Sequence, residues 1–156
     1  MPTIEPSVDA ATHRKLAVTL FNRTWHLLDL DRPRTPDEND ELLHAAHASR
    51  YHWSQCGTDL QTSRGENQCA RVYAALGRGE PAIYHARRCM ELQAGLVDLD
   101  AWEIASAREV MARALLCDDQ LDDAKLYVEQ AREALENEQD AEDREIIAAQ
   151  IAELGI

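Results

Sequence analysis

The sequence predicts an all-α protein, on three observations. Segments with apolar residues every three or four positions recur along the whole chain, each bounded by helix-capping or helix-breaking residues. β-branched residues are sparse and never alternate with polar ones over a strand-length window, so no strand is expected. Alanine and leucine dominate the apolar set, and small side chains let helices approach closely, as in a bundle or solenoid.

The punctuation predicts about seven helices. The first runs from about Val8 to Leu30, with Leu16, Leu20 and Leu27 on one apolar stripe and Val18, Phe21, Trp25 and Leu28 on another. Asp31-Arg32-Pro33-Arg34 breaks it. Thr35 then reads as an N-cap, Pro36 as the first helical residue and Glu38 as the returning arm of a capping box, opening a second helix that stops near Gly57. Thr58 with Gln61 starts a third helix, which ends before Gly77. Pro81 sits in the first turn of a fourth, from about Glu80 to Gln93, ended by Gly95. Asp100 with Glu103 caps a fifth, reaching Cys117; a sixth covers about Leu121 to Glu136, and a last one runs from about Asp140 to Leu154. Short turns between them imply antiparallel neighbours, and no linker divides the 156 residues, so one domain spanning 1–156 is expected.

A formal net charge of −13 argues against nucleic acid and anionic membrane as partners, since both need a basic footprint. The excess is uneven: from Asp118 to Glu145, twelve acids stand against Lys125, Arg132 and Arg144. That reads as a solvated helical face, or as a docking surface for a basic partner. The N-terminal stretch carries no apolar leader core, and nothing approaches the length of a membrane span. Cys56, Cys69, Cys89 and Cys117 show no CxxC pair, so they are expected to be reduced, buried small residues of a cytoplasmic protein.

One internal repeat emerges. Cys69–Leu92 reads CARVYAALGRGEPAIYHARRCMEL, and Met111–Leu135 reads MARALLCDDQLDDAKLYVEQAREAL. With Ala70, Tyr73, Gly77, Ala82 and Cys89 in the first copy and Ala112, Leu115, Ala124 and Ala131 in the second, the pair resembles the tetratricopeptide repeat, a helical hairpin with small residues where its helices cross. The resemblance covers about residues 64–136. Ala82 and Ala124 lie 42 residues apart rather than the usual 34, Asp119 stands in place of the turn glycine, and the early tryptophan is missing. FNRTWHLLD, HAAHASRYHW and RGENQCARVYAALGRGEPA also resemble small bacterial proteins of tetratricopeptide-like fold, a likeness that implies no activity. The fold expected is therefore a stack of helical hairpins, the first two helices forming one more hairpin and the last helix a polar C-terminal cap. Three hairpins are near the minimum for a solenoid, and an uncapped apolar end would favour a homodimer.

The resemblance implies that the first helix of each hairpin lines a concave surface that takes an extended peptide or partner helix. Carried over residue by residue, it assigns Arg64, Asn67 and Arg71 to one such helix, and Glu109 and Arg113 to the next. Arg64, Asn67 and Arg71 are spaced i, i+3 and i+7, on one helix face. Guanidinium forks and an amide suit a carboxylate, so a groove for an acidic segment or a free C-terminal carboxylate is one reading. The other is that these arginines pair with Glu66, Glu103 or Glu109 and hold helices together.

The helix HAAHASRYHW offers a different chemistry. His44, His47 and Tyr51 share a face, and two histidines one turn apart can ligate a metal, with His26 or Asp29 on the first helix as a further ligand. Against this, HExxH and Glu-x-x-His are missing, and the imidazoles equally suit surface hydrogen bonding. Arg50 opposite Glu66 suggests an ion pair between adjacent helices; Trp25 and Trp53 read as core anchors, with Trp53 or Tyr51 as candidates for a groove wall. No serine or cysteine lies in a nucleophile motif, and Gly77-Arg78-Gly79 reads as a hairpin turn, so neither catalysis nor a cofactor is expected. The sequence thus favours a protein-interaction module, with a metal-binding helical protein or a self-associating structural protein as alternatives.

Overall fold

Ala17, Ala70, Ala82, Ala86, Ala105, Ala112, Ala124 and Ala131 are fully buried, and they mark where helices cross at close range. The computed structural model describes residues 8–156 as α1 (Ala10–Leu28), α2 (Pro36–Cys56), α3 (Asp59–Ala75), α4 (Gly79–Ala94), α5 (Ala101–Cys117), α6 (Leu121–Leu135) and α7 (Ala141–Ala152). Most of the N-terminal stretch read for a leader lies outside the described residues. Among those described there is no strand, and no helix is long and apolar enough to cross a membrane.

The helices pair as α1–α2, α3–α4 and α5–α6, and α7 closes the stack against α5 and α6. α3 packs mainly on α2 and only lightly on α1, whereas α5 packs on both α3 and α4. The helices α1, α3, α5 and α7 therefore run side by side along one inner face. Three clusters of apolar side chains fill successive layers, centred on Leu27, Leu42 and Val72, on Val110, Met111 and Leu115, and on Val128, Ile147 and Ile151.

Local chemistry sets the boundaries. Asp9 caps α1, its carboxylate accepting the Thr12 N–H at 2.7 Å, so the helix opens two residues later than expected. Thr35 and Glu38 form the expected capping box, and Arg32 forks onto the same carboxylate at 2.7 and 2.9 Å. Arg32, with the Thr35 N–H, holds the Glu38 carboxyl down at about 2. α5 starts after Asp100 and reaches Cys117 as expected, but the Asp100 side chain makes no capping bond, and Glu103 turns away to a helix in the neighbouring hairpin.

The two turns of the repeat superpose in their bonding. Gly77 adopts φ +72°, with Arg78 N–H bonded to Tyr73 O at 2.9 Å and Gly77 N–H to Ala74 O at 3.0 Å. Asp119 adopts φ +57°, with Gln120 N–H bonded to Leu115 O at 2.9 Å and Asp119 N–H to Leu116 O at 3.2 Å. Asp119 is thus the structural counterpart of Gly77, as the repeat implied.

The apolar stripes of α1 differ from the expectation. His13, Ala17, Thr24 and Leu27 form the buried face, while Leu16 and Val18 are more than a third exposed. Ala17 brings α2 close enough for the Ser49 hydroxyl to donate to its carbonyl at 2.8 Å, and Thr24 Oγ1 donates to Leu20 O at 2.8 Å. A buried hydroxyl satisfied by a backbone carbonyl costs little, so small polar residues serve at this crossing where larger apolar ones would not fit.

Candidate functional site

The inner face formed by α1, α3, α5 and α7 carries two adjoining cavities. The larger, of about 310 Å³, has Phe21 and Trp25 on one wall, Trp102 on another, and Ile146 and Ile147 of α7 opposite. Arg64, Asn67, Gln68, Glu103 and Ser106 line it from α3 and α5. The second, of about 270 Å³, is walled by Arg34, Arg71 and Arg113 with Asp29 and Glu153. Trp25 and Gln150 border both, so the two form one continuous groove.

The sequence-predicted groove residues converge here, but not as free charges. Arg64 Nε donates to Glu103 Oε1 at 2.7 Å, and its guanidinium lies over the Trp102 ring, 5.2 Å from the centroid. Arg71 Nη2 donates to Glu109 Oε2 at 2.5 Å while its guanidinium stacks over Trp25 at 5.4 Å. Arg113 reaches the other oxygen of Glu109 at 2.7 Å, and Glu153 at 3.1 Å. Asn67 donates to Ser106 Oγ at 3.1 Å. Glu109 has no exposed surface and lies beneath the groove, one oxygen bonded to each of two arginines, and Glu153 is a second partner of Arg113. Burial lifts the Glu103 carboxyl above its usual range despite Arg64 beside it.

Three polar atoms along this groove are buried and lack a hydrogen-bond partner: Gln68 Oε1, Arg71 Nε and Gln150 Oε1. Gln68 is 1% exposed and Arg71 6%. The Gln68 amide is fixed in orientation, because its Nε2 donates to Phe21 O at 3.0 Å. A buried polar group left without a partner costs roughly 1–3 kcal/mol.

The histidine-rich helix is used differently from a metal site. His47 Nε2 bonds the Tyr73 hydroxyl at 2.8 Å, and its ring meets His85, which stacks on Tyr73. His85 Nδ1 in turn bonds Glu66 Oε2 at 2.5 Å, and Glu66 accepts from Arg50 at 2.9 Å, as the pairing of Arg50 with Glu66 anticipated. His44 and His26 are exposed, and Asp29 borders the second cavity. Among the described residues no three His, Cys, Asp or Glu side chains gather in a metal-holding arrangement. A second histidine pair, His13 and His52, joins α1 to α2 at 2.8 Å between their Nδ1 atoms.

The groove's aromatic walls are not those expected. Trp53 is a buried core residue beside a minor surface pocket, and Tyr51 is largely exposed, whereas Trp25 and Trp102 line the groove. Sequence reasoning missed Trp102, Gln68 and Gln150. Gln68 lies one turn from both Arg64 and Arg71 on α3, and that spacing was the available signal for the second of these.

Fold and site together define an all-α stack of helical hairpins with a polar-floored groove along its inner helices. Compared with family models, curated proteins and solved structures, the chain matches none.

Proposed function

We propose that the chain is a protein-interaction module whose inner groove holds a peptide or a segment of a partner protein. The observation that carries this reading is the pair of adjoining cavities along the inner helices, the larger walled by Phe21, Trp25, Trp102, Ile146 and Ile147. The hairpin repeat and its likeness to tetratricopeptide stacks support the same reading. An acidic segment or a free carboxylate would meet Arg71 and Arg113 only in competition with Glu109.

We read the protein as cytoplasmic. Its four thiols are free, and burial pushes the Cys89 thiol up to about 12 and the Cys69 thiol higher still, as suits structural thiols in a reducing compartment.

Selection of a random displayed-peptide library on the protein tests the groove. Ser106→Trp places an indole in the larger cavity. Peptides enriched on the unaltered protein are expected to bind this variant about tenfold or more weakly, with its melting temperature retained. Equal binding to both proteins would overturn the reading.

A further inference from the structure

We infer that α1 and α2 form an acid-released unit: on mild acidification the first hairpin opens from the body formed by α3–α7 while that body stays folded. The opening requires no guest in the groove. Because α1 carries Phe21 and Trp25, it also removes one wall of the larger cavity, which at neutral pH stays seated.

The seam between this hairpin and the rest is built mainly from α2 on α3, with α1 touching α3 only lightly. Its apolar filling is Leu27, Leu42 and Ala46 against Cys69 and Val72, a cluster that shares no residue with the other two. Those two both pack on Tyr127 and Ile156, so the core runs unbroken from α3 to α7 and stands apart at the first hairpin. Only Gly57 and Thr58 join α2 to α3, so the hairpin can part from the body by rotation at one turn. Once parted it cannot bury its own apolar face, and its helices lose protection.

The acid-sensitive groups are concentrated at this end. Five of the six histidines, His13, His26, His44, His47 and His52, lie in the first hairpin, and α5–α7 contain none. Two imidazole pairs flank α2. On its α1 side the Nδ1 atoms of His13 and His52 lie 2.8 Å apart, faced by Asp9 from α1 and Tyr51 from α2. Across the seam, His47 meets the His85 ring of α4 at 5.3 Å. Glu66, Cys69 and Tyr73 face His47 from α3, and His44 and Arg50 from α2. Each pair accommodates one proton, shared between Nδ1 atoms in the first and matched by Glu66 in the second. A second proton sets imidazolium against imidazolium, and Glu66 is already engaged by Arg50 and His85. Parting the seam separates His47 from His85 and admits that proton. Burial and the facing imidazole hold His47 and His52 below their usual 6.5, so the closed seam is fully favoured above that pH and weakens as pH falls below it.

Hydrogen–deuterium exchange of the full chain at about pH 7.5 and about pH 5.5, corrected for the intrinsic pH dependence of exchange, tests this. Protection of α1 and α2 is expected to fall by about fivefold or more at the acid value, and that of α5 and α6 by less than about twofold. His47→Gln combined with His52→Gln should bring the change in α1 and α2 under about twofold. His44→Gln, at an exposed site on the same helix, should leave the change in full. Each protein is compared with itself at two pH values, so a variant of lower overall stability still reports. Equal loss of protection in α1–α2 and α5–α6 means global unfolding and overturns the inference. Loss confined to α1, no loss at all, or a full response in the double variant overturns it as well.

Discussion

Glu109 illustrates how one residue resists a purely local reading. It is wholly buried, and its two oxygens hold Arg71 and Arg113 from different directions. Removing its charge leaves the Arg71 guanidinium buried without compensation, so Glu109→Gln is expected to cost about 3 kcal/mol in a denaturant titration, and Glu109→Leu with Arg71→Met much less. A loss below about 1 kcal/mol in the single variant would show that the pair does not hold these helices. The helix face shared by Arg64, Asn67 and Arg71 was legible from spacing alone. Their partners were narrowed to Glu66, Glu103 or Glu109, and the structure pairs Arg64 with Glu103 and Arg71 with Glu109. Which acid meets which arginine was not legible, because spacing within α3 does not reveal its offset against α5. Nor does it separate an arginine awaiting a ligand from one already paired.

At the scale of the element, capping residues carried most of the information. Thr35 with Glu38 and Thr58 with Gln61 mark helix starts that the structure contains. Asp100 marks the start of α5 as well, but no capping box forms there, since Glu103 serves as the partner of Arg64. The stripes of α1 misled: hydrophobicity named Leu16 and Val18, while close helix approach selected Ala17 and Thr24. The turn at Asp119 was read correctly as a glycine-type position. With φ at +57°, Asp119→Gly should raise stability by about 0.5 kcal/mol, and Asp119→Val should lower it by about 1–2 kcal/mol. Thermal melts of the two variants check this, and a stabilised valine variant would contradict it.

For the whole molecule, acid sensitivity follows from buried groups where helices meet, within the first hairpin and between hairpins. Burial holds His47 and His52 below their usual 6.5; His47 faces His85, Glu66, His44 and Arg50, and His52 faces His13. The unfolded chain takes up protons at these histidines before the fold does. Their contribution is therefore complete above pH 6.5 and is lost as pH falls below it. Glu66 acts lower: burial opposes its ionisation, but His85 and Arg50 outweigh it, so its stabilisation is present above 4.5 and lost as pH falls through its depressed value. Glu103, raised by burial, works in the opposite sense and softens the fall. Denaturant titrations at about pH 7.5 and about pH 5.5 should show lower stability at the acid value, with a smaller difference in His47→Gln. A flat profile would mean that these histidines are solvated. The stacking of hairpins was legible because repeated small residues report helix crossings. The polar network joining them was not, because it depends on residues distant in sequence.

The paired contacts Arg64–Glu103 and Arg71–Glu109 join the same two helices at points two turns apart. Together they act as a double latch. Sliding α3 along α5 by a single turn, about 5.4 Å, would uncouple both buried carboxylates at once, so the helices have one longitudinal alignment. Trp25 stacks on one latch and Trp102 on the other. The spacing between the groove's aromatic walls is thereby fixed before any guest arrives, which makes the inner face a rigid gauge of side-chain size rather than a cleft that moulds itself around its contents.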